Sequence, residues 1–230
     1  MGNFCIFLGG EMRFLIVFLL FFGIGKVFAE DQSSSPSLSV VSGGKTLVFV
    51  CDRARSEVMV FDGDGAGKAG DWVANQKLDD SDSCSGGVWV VNELTGTDTK
   101  LVMINPGRSG ANAKMNVYAV RGGGVTFAGY LPVGADYVGG SQYSYDFDQA
   151  DGRWRDFYEV SVGKIRLSKE IWLVQSGGVC VDKAGGVMDG SECKGKTMHA
   201  SVNRPLCVLY GGRNGKIAPI EACSQLVDRP

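Results

Sequence analysis

The sequence predicts an all-β protein: a single antiparallel β domain, propeller-like or sandwich, with a disulfide-stapled C-terminal segment. The plainest observation is segment 142–160, QYSYDFDQADGRWRDFYEV, where aromatic and polar residues alternate on the way to Asp151-Gly152. Alternation at a period of two is typical of a half-buried strand, and Asp-Gly favours a tight reversal. Similar short apolar segments recur along the chain at a spacing typical of sandwiches and propellers.

Residues 1–29 have the features of a secretory signal peptide. Arg13 precedes the apolar run 14–25, FLIVFLLFFGIG, and the small-residue site Val27-Phe28-Ala29 follows it. The run is shorter than the roughly 20 apolar residues of a transmembrane helix. We therefore expect the leader to be cleaved and the mature chain to have no membrane anchor. The Ser-rich segment 30–44 is expected to be a flexible lead-in.

The predicted β core spans residues 45–175. Its strands are rich in β-branched and aromatic residues, and glycine-rich or charged turns separate them. Two strands form the central hairpin at 142–160. The other expected strands are 45–51, 58–61, 88–93, 100–104, 115–120, 125–131, 164–167 and 170–175.

Cysteine usage indicates an oxidising compartment. An even set of six remains after the leader: Cys51, Cys84, Cys180, Cys193, Cys207 and Cys223. In an exported chain this number predicts three disulfides. Fifteen connectivities are possible; Cys51 with Cys84 is the natural first pair because both lie in the first third. The other four would staple the tail, residues 176–230, in which only 220–227 could form a short helix.

The location expected from these features is the periplasm, or alternatively the extracellular medium, since both permit disulfides. The charge excludes one class of partner. With 23 basic and 25 acidic residues the chain has a net charge of −2, whereas nucleic-acid binders need a basic surface.

Asp146, Asp148 and Asp151 resemble a calcium-binding loop of the Asp-x-Asp-x-Asp-Gly kind. The pattern departs from that motif, because Ala150 stands where the third ligand belongs and Phe157 occupies the position of the final acidic ligand. The alternative is a hairpin whose aspartates cap turn amides. Calcium is the only cofactor that the sequence suggests.

No convincing catalytic set is present, so we expect a non-enzymatic protein. Segment 107–111, GRSGA, approaches a hydrolase nucleophile elbow around Ser109, but loop and strand follow it instead of a helix. His199 is the only histidine that could serve as a base. Acidic pairs such as Asp156 with Glu159 are more simply solvated strand-edge residues.

Two kinds of binding site are suggested instead. Trp72, Trp89, Trp154 and Trp172, together with the tyrosines, could form a stacking platform for sugars, although most large aromatics belong to β cores. The alternative function is therefore a secreted or periplasmic glycan-binding module, lectin-like and possibly dependent on calcium.

The loop 105–113, NPGRSGANA, is the leading candidate, because small residues let a loop enter a cleft and rigid β scaffolds carry function on such loops; the function we expect first is therefore that of an inhibitor. Together with the leader MRFLIVFLLFFGIGKVFA and the stapled strands, its Arg108-Ser109-Gly110 tip resembles periplasmic β-rich inhibitors, including lysozyme inhibitors and immunity proteins against peptidoglycan-degrading effectors. The resemblance implies that the loop occludes the active site of a secreted or periplasmic hydrolase. Arg108 and Ser109 would enter that cleft, and Asn105, Gly110 and Asn112 would shape the loop.

Overall fold

The computed structural model describes residues 37–52, 54–63, 72–78, 84, 88–105, 110, 112–188, 192–193 and 195–227. These residues form antiparallel sheets with one short helical segment near the C-terminus, so the prediction of an all-β fold is confirmed. Among the described residues, no helix has the length and apolar character needed to cross a membrane.

The first two sheets are four-stranded meanders. In each, consecutive strands are neighbours, as expected when short turns join antiparallel strands. The first sheet consists of β1 (Ser37–Ser42), β2 (Lys45–Asp52), β3 (Glu57–Asp62) and β4 (Trp72–Lys77). The second consists of β5 (Val88–Glu93), β6 (Lys100–Asn105), β7 (Lys114–Arg121) and β8 (Gly124–Pro132).

The third sheet has nine strands in the described part of the chain. Its first half is a meander of β9 (Asp136–Gly139), β10 (Gln142–Gln149), β11 (Gly152–Ser161) and β12 (Lys164–Val174). Its second half is built from β13 (Gly177–Val181), β14 (Gly186–Val187), β15 (Lys196–Ala200), β16 (Leu206–Gly211) and β17 (Asn214–Ala218). The strand order is β15-β13-β14-β17-β16-β12-β11-β10-β9, and β16 joins the two halves by pairing with β12.

Three details differ from the sequence prediction. β1 lies in the stretch expected to be a flexible lead-in, so regular structure begins earlier than predicted. The two strands expected at 164–167 and 170–175 are one strand, β12, with an irregularity in its pairing beside Phe157 and Tyr158. The tail is not merely packed on the core, because its strands continue the third sheet through backbone hydrogen bonds.

The two central strands of the second sheet, β6 and β7, are buried on both faces. Val102 and Ile104 of β6 belong to the core shared with the first sheet, whereas Leu101 and Met103 belong to the core shared with the third. A strand covered on both sides needs apolar residues at successive positions, which explains the uninterrupted run LVMI at 101–104 in place of an alternating pattern.

The third sheet is covered differently on its two faces. One face packs on the second sheet through Tyr143 and Val160, and farther along it carries a separate cluster around Val174 and Val208. The opposite face is covered by a short 3-10 helix (Ile220–Cys223) and by α1 (Ser224–Val227), which together match the predicted helical segment 220–227.

Three disulfides join the six cysteines expected to pair. Cys51 bonds to Cys84, as predicted, and the four C-terminal cysteines pair as Cys180–Cys193 and Cys207–Cys223. Their Cα–Cα distances are 5.7, 5.6 and 5.8 Å, within the range that a disulfide bridges without backbone movement. Such bonds persist in an oxidising environment, which is the environment of an exported protein.

Candidate functional site

The site with the most distinctive geometry is a strip of aromatic rings on one face of the third sheet. Because side chains alternate along a strand, Tyr145 and Phe147 of β10 point to the same face. The register places Phe147 opposite Trp154 of β11, and Trp154 opposite Trp172 of β12. We call this set the aromatic strip; it consists of Tyr145, Phe147, Trp154, Trp172 and Tyr210.

The rings of the aromatic strip are nearly parallel. Centroid distances are 5.7 Å from Tyr145 to Phe147, 6.2 Å from Phe147 to Trp154 and 4.7 Å from Trp154 to Trp172, with interplanar angles of 22°, 8° and 11°. These distances belong to offset stacking, in which each ring covers only part of the next. All five residues are half-buried, so part of each remains accessible to solvent.

Two carboxylates interrupt this aromatic surface. Asp156 of β11 lies opposite Glu170 of β12, and Glu170 lies opposite Tyr210 of β16, so all three share the face of the aromatic strip. Burial raises the pKa of Asp156, whose Oδ2 accepts a hydrogen bond from the Tyr158 hydroxyl at 3.0 Å. Burial, and then the negative charge of Asp156, raise the pKa of Glu170.

A cavity of about 360 Å³ opens at the Tyr145 end of the aromatic strip, between the second and third sheets. Its volume is within the range of small-ligand sites, and its lining combines aromatic surface with a few polar groups, as is usual for such sites. The lining residues are Asn112, Ala113, Lys114, Pro132, Tyr145, Phe147, Asp148, Gln149, Asp156 and Tyr158.

Several buried polar atoms on this face have no hydrogen-bond partner. They are Oδ1 of Asp156 and the indole Nε1 atoms of Trp154 and Trp172. Folded proteins contain few such atoms, and each costs about 1–3 kcal/mol when its partner is missing. Three such atoms lie on this one half-buried face, so hydrogen-bonding capacity is left unused beside the cavity.

Side-chain hydrogen bonds connect the reverse face of the same strands to the C-terminal helix. The Arg155 guanidinium donates to both carboxylate oxygens of Asp146 at 2.6 Å and also donates to Gln225 of α1. Arg153 Nη1 donates to the carbonyl oxygen of Leu226 at 3.1 Å. The C-terminal helix thus binds β11 on the face opposite to the one that carries Trp154 and Asp156.

The candidate calcium ligands are not gathered around one point in this arrangement. Asp146 is paired with Arg155, Asp148 is 79% exposed and lies 3.6 Å from Arg153 Nε, and Asp151 has a buried oxygen without a partner in the hairpin turn. Within the described ranges, no group of three or more acidic, histidine or cysteine residues is arranged to hold a metal ion. Calcium binding stays a prediction.

Two described residues of the predicted partner-binding loop, Asn112 and Ala113, line the cavity. Asn105 is the last residue of β6, Gly110 and Asn112 are exposed, and the Ala113 amide donates to the Gly110 carbonyl at 3.0 Å. Asn112 lines the cavity mouth. Arg108 and Ser109 lie outside the described residues.

The predicted aromatic platform is divided between two places. Trp154 and Trp172 belong to the aromatic strip, whereas Trp89 packs against the core between the first and second sheets, and Trp72 begins β4. The sequence analysis did not identify Glu170 and coupled Asp156 to Glu159, which instead pairs with Arg166. Glu170 could have been found only with the register of β11 against β12 in hand.

Comparison of the chain with protein-family models, with curated protein sequences and with solved structures found no match.

Proposed function

We propose that the protein is an exported, non-enzymatic binding protein for carbohydrate, with its site on the aromatic strip and in the adjoining cavity. The observation that carries the proposal is the continuity of the two: Tyr145 and Phe147 belong to both. One sugar unit would occupy the cavity and the following units would lie along the strip. This is the glycan-binding alternative of the sequence analysis, now with defined residues.

Sugar recognition uses the two kinds of group that this face provides. The apolar face of a sugar ring packs on aromatic surface, and its hydroxyl groups need hydrogen-bond donors and acceptors. Trp154 and Trp172 bring aromatic surface and unpartnered indole donors, and Asp156 brings an unpartnered acceptor. These three atoms are buried in the free protein, so a bound sugar would have to displace the half-buried rings to reach them.

An extended peptide fits this face less well. β10, β11 and β12 are interior strands of the third sheet, so their backbone groups already pair with neighbouring strands. A peptide that binds a sheet by strand addition needs an open edge. Recognition on this face must therefore depend on side chains, as it does for a sugar.

The test is binding of the oxidised mature chain to a glycan array, followed by calorimetry with each glycan that is retained. The variants Tyr145→Ala and Phe147→Ala should each weaken binding about tenfold or more, because each removes stacking surface at the cavity. Tyr137→Ala is the matched control, since Tyr137 is a 41% exposed tyrosine on the same sheet that does not line the cavity. Retention of no glycan, or equal losses in all three variants, would contradict the proposal.

A second candidate function is the inhibitor or immunity protein suggested by the loop 105–113. It is favoured by the anchoring of that loop at the ends of the doubly buried β6 and β7, with the Val133 amide donating to the Ala113 carbonyl at 2.9 Å. The partner would be a periplasmic or secreted hydrolase of the cell wall. The double variant Arg108→Ala/Ser109→Ala should then lose hydrolase inhibition while still binding glycans, and unchanged inhibition would exclude this loop as the site.

A further inference from the structure

The carboxylates of Asp156 and Glu170 lack a positive counterpart. They are direct neighbours across β11 and β12, and neither forms an ion pair with any residue in the described part of the chain. Asp156 is only 9% exposed, and its Oδ1 has no partner. Two neighbouring carboxylates in half-buried, aromatic surroundings repel each other when both are ionised, and either a bound proton or a cationic group relieves that repulsion.

The nearest candidate within the protein does not supply that cation. Lys114 lines the same cavity, but its Nζ lies over the Tyr130 ring, 5.8 Å from the ring centroid, and it makes no ion pair with Asp156. The arginines of β11, Arg153 and Arg155, are directed to the opposite face, where they bond to the C-terminal helix. No residue in the described part of the chain therefore supplies a positive charge to Asp156 and Glu170.

We propose that the ligand supplies it, and that the carbohydrate bound here carries free ammonium groups, as in a chain of de-N-acetylated amino sugars. This inference rests on the proposed function, because it specifies the chemical class of the glycan. An ammonium group near Asp156 and Glu170 would form charge-assisted hydrogen bonds with both carboxylates.

An amino sugar satisfies the whole site better than a lysine side chain does. The flexible stem of lysine would cover little of the accessible surface that the stacked rings of Phe147 and Trp172 leave open, whereas successive sugar units would cover more of it. In an amino sugar the ammonium group is attached directly to the ring that stacks. One rigid sugar unit then supplies both the surface that packs on the aromatic rings and the ammonium group that binds the carboxylates.

The experiment is calorimetric titration of the oxidised protein with a glucosamine oligomer and with the N-acetylated oligomer of the same length. The glucosamine oligomer is expected to bind about tenfold more tightly, and added salt should reduce this preference because it screens the charges. Glu170→Gln and Asp156→Asn should each remove most of the preference while stacking on the rings persists. Glu159→Gln is the control, since it changes the same charge on β11 but pairs with Arg166 outside the cavity.

The outcomes separate this inference from the proposed function. Equal binding of the two oligomers, or a preference that survives in Glu170→Gln and Asp156→Asn, would overturn the ammonium inference and leave carbohydrate binding intact. Binding of neither oligomer, together with no retention on the glycan array, would overturn both. Binding of oligolysine as tightly as the glucosamine oligomer would overturn the assignment to amino sugars.

Discussion

Removal of the disulfide between Cys207 and Cys223 should lower the free energy of unfolding by about 3 kcal/mol or more. The bond joins β16 to the end of the 3-10 helix across a sequence separation of 16. For a loop of that length, the restriction of the unfolded chain contributes about 3 kcal/mol. Both cysteines are 1% exposed and pack with Leu226 and Leu173, so the variant also loosens the helix behind the aromatic strip.

The assay is guanidinium-induced unfolding of Cys207→Ala/Cys223→Ala, monitored by tryptophan fluorescence. The matched control is Cys180→Ala/Cys193→Ala, whose sequence separation of 13 gives nearly the same chain-entropy contribution. Cys193 is exposed and Cys180 half-buried, so this pair contributes less packing. The excess loss of the first variant over the second therefore measures the packing of the C-terminal helix.

A loss below about 1 kcal/mol for Cys207→Ala/Cys223→Ala would refute the loop-entropy estimate. A loss smaller than that of the control would refute the assignment of a packing contribution to the buried pair. The m-value, which is the dependence of the unfolding free energy on denaturant concentration, should increase in both variants, because an unfolded chain without the disulfide exposes more surface.

Three further perturbations test the hairpin itself. Gly152→Ala should lower the free energy of unfolding by about 3 kcal/mol or more, because the added Cβ would lie 2.0 Å from the Leu173 carbonyl oxygen and residue 152 has a φ of +153°. Thermal or denaturant unfolding measures this loss, and a variant as stable as wild type would contradict it. Burial raises the pKa of Asp156 in the folded protein, so the native state binds the extra proton and stability falls as pH rises through the window between the unfolded and folded pKa values. Asp156→Asn should therefore be more stable than wild type at neutral pH, and thermal unfolding should show this advantage disappearing in acid. Arg155→Met leaves the Asp146 side chain, 6% exposed, without its bidentate partner and should cost about 3–5 kcal/mol; Arg155→Met/Asp146→Leu should recover part of that loss.

The expected stabilisation by Asp156→Asn is informative about function. A buried carboxylate with an unpartnered oxygen lowers stability, which is a cost commonly found where a residue binds a ligand. The same variant should be more stable and bind a cationic glycan less tightly. A variant that loses stability as well as binding would indicate a structural role for the Tyr158–Asp156 hydrogen bond instead.

Most of the fold could be predicted because the deciding signals are local. Alternation on both sides of Asp151-Gly152 gives the β10–β11 hairpin, and the apolar residues that follow Lys100 give the strand β6. The strands of the tail were harder to predict. Their sequences are short and rich in glycine, and they become strands because β16 can pair with the open edge of β12.

The sequence by itself determined the fold class, the exported character expected from six paired cysteines, and the common face of Tyr145 and Phe147, because two-residue periodicity assigns faces within a strand. Only the tertiary structure decided which residues meet across strands. Register depends on turns and on the irregularity beside Phe157 and Tyr158, and it brought Trp154 to Trp172 and Asp156 to Glu170. The candidate site is made of such contacts between strands, so it exists only in the folded sheet.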